Sequence, residues 1–168
     1  MSQGEGRHRQ PLYDAHQRAR RDATVWTLVQ GILAPLQFLV FLASLILVLR
    51  TLATGEGAWM ANASIVAKTG LLYAIMVTGS IWEKVVFGRY LFAPAFYWED
   101  MVSMLVLALH SAYLVALATG GLDTTGLMLL ALAAYASYAI NATQFLLKLR
   151  AARLEAAPAL HLGTEGAR

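Results

Sequence analysis

The sequence predicts an all-α, polytopic membrane protein: four transmembrane helices in a bundle, with an interfacial aromatic loop between the second and third. Three observations predict it. Of the 168 residues, 58% are hydrophobic and only 14% charged, with a mean hydropathy of +0.56, and a soluble domain of this length could not hide so much apolar surface. The apolar residues collect in four runs, each close to the roughly 20 residues that a helix needs to cross a bilayer. The basic residues stand at the ends of those runs and form no single face, so the net charge of +3 does not point to nucleic acid as a partner.

Residues 1–24 form a polar, basic lead carrying Arg7, Arg9, Arg18, Arg20 and Arg21, suited to water beside anionic headgroups. A short interfacial helix is expected around Tyr13 to Arg21. This lead is too long and polar for a signal peptide, so the first apolar run is read as a retained helix. That run, about Val25 to Leu49, contains Pro35, where a kink is expected. The turn-like Thr54-Gly55-Glu56-Gly57 leads to a second run from about Trp59 to Ile81. Lys68 within it is tolerable where its stem snorkels or it faces protein.

Residues 82–100 then carry aromatic side chains with charges at both ends and Gly and Pro inside, the pattern of a loop dipping toward the membrane. The third run, Met101 to Thr119, holds one ionisable residue, His110. After the Gly120-Gly121-Leu122-Asp123 turn comes a fourth run, about Thr125 to Leu147. The domain boundaries follow: residues 1–24 a cytoplasmic segment, 25–147 the four-helix domain, 148–168 a polar cytoplasmic tail. The N-terminal arginines, Lys84, Arg89, Lys148, Arg150 and Arg153 fall on one side and Arg50, Glu56 and Asp123 on the other. The positive side is cytoplasmic, which predicts both termini inside, and the four tryptophans, Trp26, Trp59, Trp82 and Trp98, stand where an aromatic belt belongs.

Polar residues are costly against lipid, so their angular positions show which face of each helix meets protein. Gln30, Gln37 and Ser44 recur every seven residues on the first span, and Asn62, Thr69, Met76 and Glu83 on the second, with Tyr73, Ser80 and Lys84 on the adjacent face. Glu99, Ser103 and His110 align on the third, and Ser137, Asn141, Gln144 and Lys148 on the fourth. Hydrogen bonding between helices accounts for the uncharged members. Glu83, Glu99 and Asp100 flank the aromatic loop, where a partly buried carboxyl can act as general acid; pairing of Glu83 with Lys84 or Arg89, and an acidic cap on the third span, explain them equally well. His110 can ligate a metal in a bound cofactor, act as acid or base, or simply bond across the bundle. No cluster of His, Asp and Glu has protein metal-site spacing, and the chain lacks cysteine, which excludes disulfides, thiolate metal sites and thiol chemistry. Phosphate loops and Ser-His-Asp arrangements are absent as well.

Three strings are recognisable: Arg18-Ala19-Arg20-Arg21-Asp22-Ala23-Thr24 followed by Trp26-Thr27-Leu28-Val29-Gln30-Gly31; Thr78-Gly79-Ser80-Ile81-Trp82-Glu83-Lys84-Val85-Val86-Phe87-Gly88; and Tyr90-Leu91-Phe92-Ala93-Pro94-Ala95-Phe96. Over roughly Ala15 to Arg153 the chain resembles the 3-vinyl bacteriochlorophyllide hydratase family (also called 2-vinyl bacteriochlorophyllide hydratase), small membrane proteins of anoxygenic phototrophic bacteria. The resemblance implies a hydro-lyase of bacteriochlorophyll a biosynthesis that hydrates the C3-vinyl group of a chlorophyllide or bacteriochlorophyllide to 1-hydroxyethyl. It implies no cofactor, a substrate carrying its own magnesium, an inner or intracytoplasmic photosynthetic membrane, and other enzymes of the same pathway as partners.

On that resemblance, Glu83 or Glu99 is expected to donate the proton, with the other, or Asp100, as carboxylate stabiliser and water-orienting base. Trp82, Tyr90, Phe96, Tyr97 and Trp98 are candidates for stacking on the macrocycle, Lys84 or Arg89 for pairing with its free propionate, and His110 for the substrate's magnesium. A non-enzymatic pigment-binding or assembly protein would use the same aromatic slot and His110 but tolerate loss of the three carboxyls. A small transporter or quinone-interacting subunit fits less well, because apart from Lys68 the charges do not span the bilayer.

Overall fold

A computed structural model describes the backbone of residues 11–165 and the side chains of residues 11–154; Arg7 and Arg9 lie outside the described residues. A short helix α1 (Ala15–Ala23) precedes four long ones, α2 (Val25–Thr54), α3 (Ala58–Phe87), α4 (Tyr97–Thr119) and α5 (Thr124–Glu165). Each of the four long helices is long and apolar enough to cross a membrane, as the sequence predicts. α2 and α3 each have 30 residues, or about 45 Å at 1.5 Å per residue, more than the roughly 30 Å hydrocarbon core. α2 is continuous through Pro35, and α5 continues beyond Leu147, so the polar tail begins as helix.

The expected helix in the N-terminal lead is α1. Its start is fixed by a reciprocal cap: the Gln17 amide donates to Asp14 Oδ1 at 2.7 Å and the Asp14 amide to Gln17 Oε1 at 3.0 Å. Thr24, in extended conformation, ends α1 and caps α2, so the chain turns there and lays α1 against α3. The long helices follow one another as antiparallel neighbours joined by tight turns at 55–57 and 120–123. α2 packs closely on α3, α4 on α5, and α2 on α5, whereas the α3–α4 seam is sparsely packed.

Many polar residues share the core with apolar ones, while much of the outer surface is apolar. Leu28, Ile32, Leu39 and Ile46 of α2 face outward, while Gln37, Ser44 and Thr51 face inward beside Phe41 and Val48. Thr69 and Glu83 of α3, Glu99, Ser103 and His110 of α4, and Ser137 and Asn141 of α5 are buried too. Their bonds cross the bundle: Ser44 Oγ lies 2.7 Å from Ser64 Oγ and 2.5 Å from the Tyr135 hydroxyl, Tyr113 donates to Asn62 Oδ1 at 2.7 Å, and Gln30 to Thr78 Oγ1 at 2.7 Å.

Lys68 is fully buried and does not snorkel. Its ammonium lies 3.0 Å from His110 Nε2 and over the rings of Tyr138 (4.0 Å), Tyr135 (5.1 Å) and Phe41 (5.9 Å). His110 Nδ1 is 2.8 Å from the Val106 carbonyl, which fixes Nδ1 as the protonated nitrogen and leaves Nε2 to accept from Lys68. Among the described residues no carboxylate pairs with this ammonium; the aromatic faces and the imidazole take that place.

Replacing a buried polar pair by apolar side chains is often neutral, whereas leaving one partner unsatisfied costs about 1–3 kcal/mol or more. Thermal unfolding in detergent micelles should therefore show His110→Ala destabilised by at least that amount and the double variant Lys68→Met/His110→Leu close to wild type.

Candidate active site

The carboxyls singled out in the sequence meet at the end of the bundle where α1 lies. α3 ends at Gly88, whose positive φ of 83° lets the chain leave the helix sharply, its amide donating to the Lys84 carbonyl at 3.0 Å. The 88–96 connection then folds back over the bundle. Phe92 adopts φ of 57°, a left-handed conformation that costs an aromatic residue about 1–3 kcal/mol. Two carboxyls hold it there: the Phe92 amide donates to Asp100 Oδ2 at 2.7 Å, and the next amide, of Ala93, to Glu83 Oε2 at 3.3 Å. Because they bind adjacent amides, Glu83 and Asp100 are brought side by side.

Glu99 belongs to a different set of bonds. Its Oε2 accepts from Lys148 Nζ at 2.6 Å, and Lys148 also donates to the Ala95 carbonyl. Asn141 Nδ2 donates to the Glu99 carbonyl at 2.8 Å and to Ser103 Oγ at 2.9 Å. Glu99 thus pairs with a cation from α5, whereas the hydrogen bonds of Glu83 and Asp100 go to backbone amides. All three are buried.

An aromatic cluster roofs the carboxyls. Phe96 packs edge-on against Trp82 and Phe87, 5.8 and 5.7 Å between centroids, and stacks with Phe145 at 5.8 Å. Tyr13, from the segment before α1, stacks on Phe87 at 5.8 Å under the Arg21 guanidinium. Burial pushes the Tyr13 phenol up from its ordinary value, and Arg21 pulls the other way. Trp82 Nε1 donates to Thr27 Oγ1 at 2.9 Å, and Thr27 Oγ1 donates to the Arg21 carbonyl at 2.6 Å, so α1, α2 and α3 are tied at this end.

The structure therefore brings Glu83, Asp100 and Glu99 together with Trp82 and Phe96. Tyr90, Tyr97 and Trp98 lie exposed on the surface, as do Lys84 and Arg89. Lys84 donates to the Gly88 carbonyl at 3.0 Å and lies 5.3 Å from the Tyr90 ring. His110 is ten residues along α4 from Asp100, about 15 Å by helical rise, and both ring nitrogens are occupied, leaving neither free for a magnesium ion. Among the described residues no group of three or more His, Asp or Glu is placed to hold a metal. Sequence reasoning gave no role to Lys148, although its alignment with Ser137, Asn141 and Gln144 signalled an inward face, nor to Tyr13, which carries no periodic signal.

The family model for 2-vinyl bacteriochlorophyllide hydratase matches residues 13–151, from Tyr13 through the whole four-helix bundle. The chain belongs to that family. Two curated relatives bear the same name: one from Rhodobacter capsulatus, 67% identical over 149 residues, covering 89% of this chain and 86% of the relative, and one from Cereibacter sphaeroides, 70% identical over 145 residues, covering 86% and 89%. No solved structure matches. For this member of the hydratase family, the bonds above make the carboxyls responsible for loop geometry as well as any chemistry. Asp100→Ala removes the acceptor that holds the strained Phe92 and should speed amide hydrogen exchange across 88–96 while the α2–α3 core stays protected. Lys148→Met strands a buried Glu99 and should cost about 3 kcal/mol in the same micelle unfolding experiment.

Proposed function

We infer that the chain is a hydro-lyase that adds water across the vinyl group of a bacteriochlorophyllide or chlorophyllide, giving the 1-hydroxyethyl derivative in bacteriochlorophyll biosynthesis. Its family and its curated relatives support the hydratase reading, and the two buried carboxyls side by side, Glu83 and Asp100, carry it chemically, one of them holding a proton in this scheme. Hydration in this sense begins with protonation of the terminal vinyl carbon. That leaves a cation on the carbon attached to the ring, which the macrocycle delocalises. Water attacks that carbon and gives up a proton, so the pair ends as it began.

Glu83 is the proton donor in this scheme and Asp100 the carboxylate that accepts the proton from water. Once Glu83 has delivered its proton, the pair carries additional negative charge next to the developing cation, the electrostatic stabilisation the step needs. Glu99, engaged by Lys148, adds fixed negative charge and positions α4 against α5. Trp82 and Phe96 belong to the apolar cover over the carboxyls. Lys84 and Arg89, exposed at the same end, are the cations for a free propionate. His110 is not a magnesium ligand in this scheme, since Lys68 and Val106 hold its ring. Lys84, Arg89, Lys148, Arg150 and Arg153 all stand at the α1 end, which supports a bacterial inner or intracytoplasmic membrane protein with that end in the cytoplasm.

A positioned acid is worth about 10² to 10⁴ in rate. Membranes expressing Glu83→Gln should convert a 3-vinyl chlorophyllide to the product one water heavier at least about 10²-fold more slowly than wild type, with Asp100→Asn similarly impaired and Glu99→Gln less so. Full activity in both Glu83→Gln and Asp100→Asn, assayed by chromatography and mass, would remove the pair from the chemistry; pigment bound by wild type but never converted would favour a pigment carrier.

A further inference from the structure

The carboxyl pair is closed over on the α1 side. Ala93 is fully buried, and Phe96 and Tyr13 are 2% and 4% exposed. A planar macrocycle has no path through that roof as it stands, and the other approach is along the bundle wall. The wall is weakest at the α3–α4 seam. Toward the far end the seam is held by three bonds, Asn62 to Tyr113, Lys68 to His110, and Tyr73 to Ser111 at 2.8 Å, and toward α1 by Glu83 and Asp100, both bonded to the Phe92–Ala93 backbone. Between these ties a cleft of about 260 Å³ opens on the outer face, lined by Tyr73, Met76, Val77, Leu107 and Ser111.

Three features decide what this cleft accepts. Met76 and Leu107 precede and follow Glu83 and Asp100 by seven residues, two helical turns on the same faces, so the cleft lies about 10 Å below the carboxyls on the helix faces that carry them. Val77 is 60% exposed on the outer face, and the Tyr73–Ser111 hydroxyl pair is bonded there, where lipid would leave its remaining hydrogen-bonding capacity unmet. Lys84 lies seven residues beyond Val77 on the same face, placing an exposed cation at the rim. An apolar slot with a cation at one rim and a carboxyl pair at its head complements a flat apolar ring with an anionic side chain.

We propose that the α3–α4 cleft is the seat of the vinyl-bearing macrocycle, entered sideways from the bilayer, with Lys84 receiving its carboxylate and the vinyl edge directed toward Glu83 and Asp100. This rests on the hydratase reading. The ring exceeds the cleft volume, so its outer edge remains against lipid.

The test is titration of 3-vinyl chlorophyllide, followed by absorbance, into the full-length protein in nanodiscs, with turnover measured on the same samples. Val77→Phe and Val77→Trp fill the cleft stepwise from its exposed side; Ile46→Trp adds the same bulk on the outward face of α2. Binding should weaken progressively, by about tenfold or more for Val77→Trp, with KM raised more than kcat is lowered, melting unchanged and Ile46→Trp like wild type. Lys84→Gln should weaken the free acid and leave the methyl ester unaffected. Wild-type binding and turnover in both Val77 variants would overturn the proposal and assign the cleft to a lipid chain. Wild type that binds without converting sinks the hydratase reading while the Val77 contrast still decides the seat; wild type that does not bind overturns both.

Discussion

The four spans meet on the Lys68 ammonium. It projects from α3 and is met by Phe41 of α2, His110 of α4, and Tyr135 and Tyr138 of α5. In a bilayer, apolar side chains gain little by leaving lipid for protein, so helix association depends on packing and on polar groups that have no other partner. A buried lysine is the extreme case, since facing hydrocarbon would leave its amino group without any partner. The Ser44–Ser64–Tyr135 chain and the Asn62–Tyr113 bond add the same kind of constraint on the same side of the bundle. The sparse α3–α4 packing is tolerable because the polar ties make dense apolar packing along that seam unnecessary.

The second constraint lies at the α1 end, where the carboxyls proposed for the chemistry also hold the fold. Glu83 and Asp100 hold two consecutive amides of a connection that includes a left-handed phenylalanine. The loop in turn buries the carboxyls, and burial keeps them from being solvated separately. Substitutions here act on both, which is why exchange across 88–96 and turnover must be read together.

Much of this was legible in the sequence because a membrane makes polar residues informative. The seven-residue spacing of Gln37 and Ser44 gave the inward face of α2, and Glu99, Ser103 and His110 gave that of α4. The four spans followed from hydropathy alone. What stayed hidden depended on partners distant in the chain. His110 bonds a lysine 42 residues away, and nothing in either helix's periodicity says that those two turns face each other. The clamp on Phe92 is a backbone conformation held by side chains eight and ten residues off, so composition suggested a loop without its shape. Tyr13 lies in a segment too polar and short for any periodic signal, yet it is buried by ring stacking on Phe87.

The reaction assigned to this family brings together an apolar ring, which partitions into lipid, and water, which does not. A site in the middle of the bundle would hold the ring well and exclude the second reactant; a site in the aqueous phase would do the reverse. The carboxyl pair proposed as the acid and base lies where these requirements overlap, at the end of two spans, roofed by a loop and by the segment before α1. The Lys68–His110 centre, about 22 Å from Glu83 along α3 by helical rise, is buried away from both phases. Two sets of buried ionisable groups thus divide the molecule: the deep one ties the helices together, and the shallow one, tied to the 88–96 loop, is the one placed near the end of the bundle where the proposed reaction needs it.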